Sequence, residues 1–200
     1  MISVIIPTLN DAERLPRALS PLVMGVADGL VKQAIIADGG SSDETRAIAE
    51  AAGCDVTQSA PGLAKQMLAG VAAAKGRWFL FLDPGAMLED GWINAAQGFL
   101  THGDGRAAAF RLVSEKAGIV ARGGEMASLV LGALGRPRRE QGLLMSRALY
   151  EKVGGVFDVH NAYASFIARI GARRLVILSA KAIYREAAPL AATLRVSSGL

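Results

Sequence analysis

The sequence predicts an α/β fold: a mostly parallel, Rossmann-like sheet flanked by helices. Three observations support it. Four short strand candidates, three of them apolar runs, alternate with three helical segments in the first hundred residues. The runs give way to polar loops rich in Asp, Gly, Pro or Ser. The fourth candidate, Trp78-Phe79-Leu80-Phe81-Leu82, is apolar at every position and stops at Asp83-Pro84-Gly85, as a strand buried on both faces does. The 200 residues, 52% hydrophobic and 20% charged, are read as one domain over 1–200 with a sizeable core.

Ile2 to Ile6 reads as the first strand, with Pro7-Thr8-Leu9-Asn10 as its exit loop. Asn10-x-x-Glu13 has capping-box character. Leu15, Ala18, Leu19 and Leu22 then mark one face of a helix. Val31 to Ala37 is the second strand, ending at Asp38-Gly39-Gly40. Ser41-x-x-Glu44 reads as a second capping box, with Asp43 near the positive end of the helix dipole. That helix runs to about Ala52, with Gly53 as its C-terminal cap. Asp55 to Gln58 is a short strand, and Leu63, Met67, Val71 and Ala74 give a third stripe, stopped at Gly76. Strand, helix, strand in this order implies parallel pairing with right-handed crossovers.

The second half is less regular. Ala107 to Leu112 reads as a strand, Glu125 to Leu134 as a helix, and Leu143 to Met145 as a short apolar run. Ser146 suits the N-cap of a helix from Arg147 to Val153. Ala162 to Ile170 reads as a helix before Gly171, and Leu175 to Leu178 as a late strand.

Charge is divided unevenly. Residues 1–100 carry 7 basic and 11 acidic side chains, residues 101–200 carry 15 and 7. A basic half suits a phosphorylated substrate, an anionic membrane surface or a solvated Arg-rich face. Nucleic acid is not expected, because the basic half has neither zinc-finger spacing nor an aromatic-rich RNA-binding pattern. The lone cysteine, Cys54, excludes an internal disulfide and suits a reducing compartment. The opening MISVIIPT lacks a signal-peptide pattern, and no apolar run is long enough to span a bilayer. A cytoplasmic location is expected. Met126, Leu129, Val130, Leu131 and Leu134, followed by three arginines, suit either a core helix or one lying on the inner face of a membrane.

Thr8, Asn10, Asp38 and Asp83 all fall just after strand ends, so one sheet edge should collect them, and that edge is where open α/β sheets bind ligands. Neither G-x-G-x-x-G after the first strand nor G-x-x-x-x-G-K-[ST] is present, so the two common glycine-rich phosphate cradles are absent.

With these residues placed, SVIIPTLNDAERL, IIADGGSSDETRAIAEAAG, PGLAKQMLAGVAAAKGRWFLFLD and REQGLLMSRALYEKVGG resemble, in order and spacing, the family 2 glycosyltransferases of the GT-A fold. The likeness is to a small, single-domain bacterial branch and covers roughly residues 1–175. It implies a nucleotide-binding half (1–100) and an acceptor-side half (101–200). It also implies a nucleotide-diphosphate-sugar donor, a divalent cation (Mg or Mn), and an acceptor that is often lipid-linked. Pro7, Thr8, Asn10, Asp11 and Asp38 would hold the nucleoside, although capping alone would account for Asn10 and turn chemistry for Asp38. Lys65 would face the diphosphate from the start of the third helix, and Asp83 would reach ribose or metal.

The chain departs from the family pattern at several places, among them Leu68 where the family often has Asn, and two of them bear on the chemistry. Gly85 stands where the resembled branch has a second Asp. The Glu-Asp pair that usually supplies the general base falls on Val159-His160, which leaves His160, Asp158 or Glu140 as the catalytic base. Two functions are therefore expected: an inverting glycosyltransferase, or a non-catalytic GT-A-like module that binds a nucleotide or a partner.

Overall fold

The computed structural model describes residues 1–115, 137–159 and 161–186. The helix expected over 125–134 and His160 lie outside the described residues. Eight strands form one sheet: β1 (Ile2–Thr8), β2 (Val31–Asp38), β3 (Asp55–Gln58), β4 (Trp78–Phe81), β5 (Ala86–Leu88), β6 (Ala107–Ser114), β7 (Leu143–Ser146) and β8 (Leu175–Tyr184). Their order across the sheet is β3-β2-β1-β4-β7-β6-β8-β5. Strands β1 to β4 are parallel, as expected. Strand β7 then inserts antiparallel between β4 and β6, β8 runs parallel to β6, and β5 closes the edge antiparallel to β8.

Six α-helices are described: α1 (Leu15–Ala27), α2 (Thr45–Ala51), α3 (Leu63–Ala73), α4 (Trp92–His102), α5 (Arg147–Lys152) and α6 (Ala162–Ile170). They cover both faces of the sheet. Alternate residues of β1 go to opposite sides: Ile2, Val4 and Ile6 pack with Leu15, Leu19 and Leu22 of α1 and with Trp92 and Phe99 of α4. Ile5 packs with Met67 of α3 and with Phe79, Phe81 and Phe166. All four residues of β4 are buried, as its continuous apolar run requires. Phe81, Tyr150 and Phe166 meet edge-on or tilted at centroid distances of 5.6–6.2 Å. Gly25 brings α1 against α4, because a Cβ there would lie 2.7 Å from the Trp92 ring.

The N-cap of α5 is confirmed: Ser146 Oγ accepts from the Leu149 N–H at 3.1 Å. Gly53 follows α2 at φ 73°, the left-handed stop expected of it. Neither anticipated capping box forms. Helix α1 begins at Leu15 and α2 at Thr45, both without a side-chain cap. The candidate caps join the two exit loops to each other instead. Asn10 Oδ1 accepts from the Ser42 N–H (2.8 Å), and Ser41 Oγ accepts from the Asn10 N–H (2.9 Å). The late strand continues beyond Leu178 to Tyr184, held along β6. Strand β5 and helix α4 are not anticipated, although Trp92, Ala96 and Phe99 carry a helical spacing.

Candidate functional site

A cleft of about 290 Å³ opens beyond the carboxyl ends of β1 and β4. Pro7, Leu9 and Asp11 of the β1 exit loop line one side. Gly62, Leu63, Gln66 and Met67 bring in the first turns of α3. Asp83 and Pro84 form the floor, and Arg14, Arg139 and Tyr163 complete the wall. Gln66 fixes α3 against the strand ends, with Nε2 donating to the Thr8 carbonyl (2.6 Å) and the Ala37 carbonyl (3.2 Å). The start of α3, which has no side-chain cap among the described residues, lines the cleft through Gly62 and Leu63.

Asp83 is central. Its side chain is 6% exposed, and Oδ1 accepts from the Gly85 N–H at 2.9 Å. Arg139 Nε lies 3.4 Å from Oδ2 and Arg14 Nη1 lies 3.8 Å from Oδ1. Burial pushes the Asp83 carboxyl above the usual carboxylate range, against the pull of the Gly85 N–H and the two guanidiniums. Arg14 is anchored from behind by Asp11, whose Oδ1 accepts from Nε at 2.9 Å and also from Nη2.

Arg139 is carried on a 3-10 turn, Arg139–Gln141, that is tied to the sheet by Gln141. The Gln141 amide donates to the Phe110 carbonyl (2.9 Å) and accepts from the Arg138 N–H (2.8 Å). Glu140 lies between Arg138 (3.4 Å) and Arg139 (3.6 Å). Its Oε2 and the Tyr163 hydroxyl are buried without a hydrogen-bond partner among the described residues. Burial also raises the Tyr163 phenol well above its ordinary value.

The expected residues separate into groups. Pro7, Asp11 and Asp83 line the cleft, and Glu140 stands beside Arg139. Thr8 and Asp38 are buried in the strand ends behind it. Asp38 Oδ2 accepts from the Gly40 and Ser41 N–H groups (3.1 and 3.0 Å), and Oδ1 from the Ser41 and Thr8 hydroxyls. Turn chemistry thus uses both of its oxygens. Asn10 is exposed in the loop at φ 56°. Lys65 is not among the residues lining the cleft and pairs with Asp158 at 3.9 Å. Asp158 lines a neighbouring depression that shares Gly62, Leu63 and Tyr163 with the cleft. Arg14, Gln66 and Tyr163 escape sequence reasoning. The local signal for Arg14 is its i, i+3 spacing from Asp11.

A parallel half-sheet with this strand-end cleft defines a protein of the GT-A class. Residues 3–162 match the model of Glycosyl transferase family 2, and the chain belongs to that family. Solved structures agree in fold. Glucosyl-3-phosphoglycerate synthase from Mycobacterium tuberculosis, in complex with Mn2+, UDP and glucosyl-3-phosphoglycerate, superposes with a TM-score of 0.66 at 23% identity. The match covers 96% of this chain and 74% of that one. The same synthase with Mg2+ and UDP gives a TM-score of 0.67 at 23% identity, over 96% and 74% of the two chains. A further mycobacterial protein gives 0.66 at 24%, over 96% and 69%. No curated protein sequence gives a significant match.

The synthase structures hold Mn2+ or Mg2+. The side chains around Asp83 in this chain fit such an ion poorly. A hard dication seeks several oxygen ligands, and both Asp83 oxygens here face guanidiniums. Among the described residues, no group of three or more His, Cys, Asp or Glu could hold a metal. No described helix is long and apolar enough to cross a membrane.

Proposed function

We propose that this chain transfers a sugar from a nucleoside-diphosphate donor to an acceptor hydroxyl. One observation carries the reading: two arginines converge on a buried carboxylate in the strand-end cleft, facing the start of α3. Such a cleft suits a diphosphate, with Pro7 and Asp11 beside the nucleoside and Asp83 within reach of a ribose hydroxyl. The UDP and UDP-glucose bound by the structural relatives support a uridine donor. Thr8, Asn10 and Asp38 shape the exit loops that hold the nucleoside, and Lys65 adds positive charge at the mouth.

The reaction is a single inverting displacement. The acceptor oxygen bonds to the anomeric carbon as the bond to the diphosphate oxygen breaks, and the diphosphate leaves with the electron pair. Arg139 and Arg14 take the developing charge. The acceptor proton passes to a carboxylate, for which Glu140 is best placed and Asp158 stands on the rim. The depression beyond Tyr163 receives the acceptor.

A second reading, a nucleotide-binding module without transfer, draws support from the pairing of Glu140 with Arg138 and Arg139 and of Asp158 with Lys65. Nucleotide release from UDP-sugars and GDP-sugars, measured beside calorimetric binding of UDP and GDP, separates the two. Release that falls in Glu140→Gln supports transfer. Binding without release, with or without acceptors, supports the module. Absence of both overturns the donor reading.

A further inference from the structure

We propose that Arg14 and Arg139 take the place of a divalent cation, so that this cleft holds the diphosphate of a nucleotide without metal. The inference rests on the donor reading above and concerns how the charge of that donor is met.

Gly85 leaves no room for a side chain. A Cβ at this position would lie 2.5 Å from the Arg185 carbonyl oxygen, 2.9 Å from Tyr184 Cε2 and 2.9 Å from Arg14 Nη1. The end of β8 and the Arg14 guanidinium therefore occupy the space a second carboxylate would need. Where the resembled branch carries a second Asp, this chain has a cation in the path such a side chain would take.

The two arginines are poised rather than saturated. Asp11 takes Nε and Nη2 of Arg14, while Nη1 points at Asp83 from 3.8 Å, too far for a hydrogen bond. Arg139 also stands off, at 3.4 Å from Asp83 and 3.6 Å from Glu140, with its side chain 49% exposed. Among the described residues, no hydrogen bond uses Arg14 Nη1 or the Arg139 guanidinium. Planar N–H donors with open directions are what phosphate oxygens bind, often bidentately. Asp83 orients both guanidiniums from beneath. A dication on Asp83 would sit within a few ångströms of both positive groups, and its repulsion by them opposes binding.

Calorimetry with UDP and GDP, in EDTA and in Mn2+, tests this. The wild-type chain should bind one nucleotide with affinities within about threefold of each other in the two conditions. Arg139→Gln, a change at a half-exposed side chain, should weaken binding in EDTA about tenfold, with no rescue by Mn2+. Its thermal melt should match the parent's. Binding that appears only with Mn2+ overturns the inference and leaves the donor reading standing. An unchanged affinity in Arg139→Gln overturns the arginine assignment. No binding in either condition overturns the donor reading itself.

Discussion

Asp83 and Glu115 each stand between two arginines, and their surroundings act in opposite directions. Asp83 lies on the cleft floor between Arg14 and Arg139, its side chain 6% exposed. Glu115 lies at the end of β6 between Arg17 and Arg185, 33% exposed. Hydrogen bonds from Arg17 and Arg185 hold the Glu115 carboxyl at about 2. Burial raises Asp83 despite its own two guanidiniums. The difference lies in geometry and solvent. Arg17 Nη1 and Arg185 Nε reach Glu115 at 2.7 and 2.6 Å, closing true hydrogen bonds in water. At Asp83 the guanidiniums stand back, and desolvation outweighs them. A carboxylate paired in water is a surface tie. One held under stand-off arginines is a site with its donors left open.

The largest effect expected from this contrast separates two arginines one turn apart. Arg14→Ala leaves buried Asp11 without its cation and Asp83 with Arg139 alone, and should cost roughly 3–5 kcal/mol. Arg17→Ala removes an exposed partner and should cost less than about 1 kcal/mol. Urea denaturation of both variants measures this. Equal losses would show that burial is not what divides the two clusters.

An intermediate effect concerns pH. Because the folded carboxyl of Asp83 is raised above its ordinary value of 3.8, its contribution to stability is fully present below that value. It is lost as pH rises through the folded value. Asp83→Asn does not titrate, so the variant should gain on the parent as pH rises from about 3.8 toward neutrality. Paired denaturation curves across that range test it. A gap that stays constant would mean Asp83 is not destabilised by its burial.

Much of the first half was legible because its signals are local. Apolar runs and stripes place β1 to β4 and α1 to α3 within a few residues, and the Ser146 cap and the Ala162–Ile170 helix are read correctly. The insertion of β7 beside β4 is a pairing between distant segments that no local period encodes. The two false capping boxes fail for a related reason: Asn10 and Ser41 found partners on each other's loop.

Asp38 and Asp83 show the same limit at the site. Both follow an apolar run and open a turn, Asp38-Gly39-Gly40 and Asp83-Pro84-Gly85, and the sequence treats them alike. The structure surrounds Asp38 with backbone N–H groups and hydroxyls from its own turn and the adjacent strand. It surrounds Asp83 with arginines from α1's approach and from the turn before β7. Apart from Thr8 the first set is local, whereas both arginines are remote in sequence, and it is the arginines that line the cleft.

The smallest effect tests the exposed side of the comparison. Glu115 is lowered from 4.5 to about 2, so its stabilising contribution is present above 4.5 and disappears as pH falls through about 2. Its exposure keeps the contribution under about 1 kcal/mol. Glu115→Gln should therefore melt slightly below the parent at pH 7, by about a degree or two. The gap should narrow between pH 4.5 and 2 and shrink in high salt, since exposed pairs are screened. A gap that survives both acid and salt would mean that Glu115 acts through packing. The two-arginine arrangement at the surface would then say nothing about charge, and the raised carboxyl of Asp83 would lose its control.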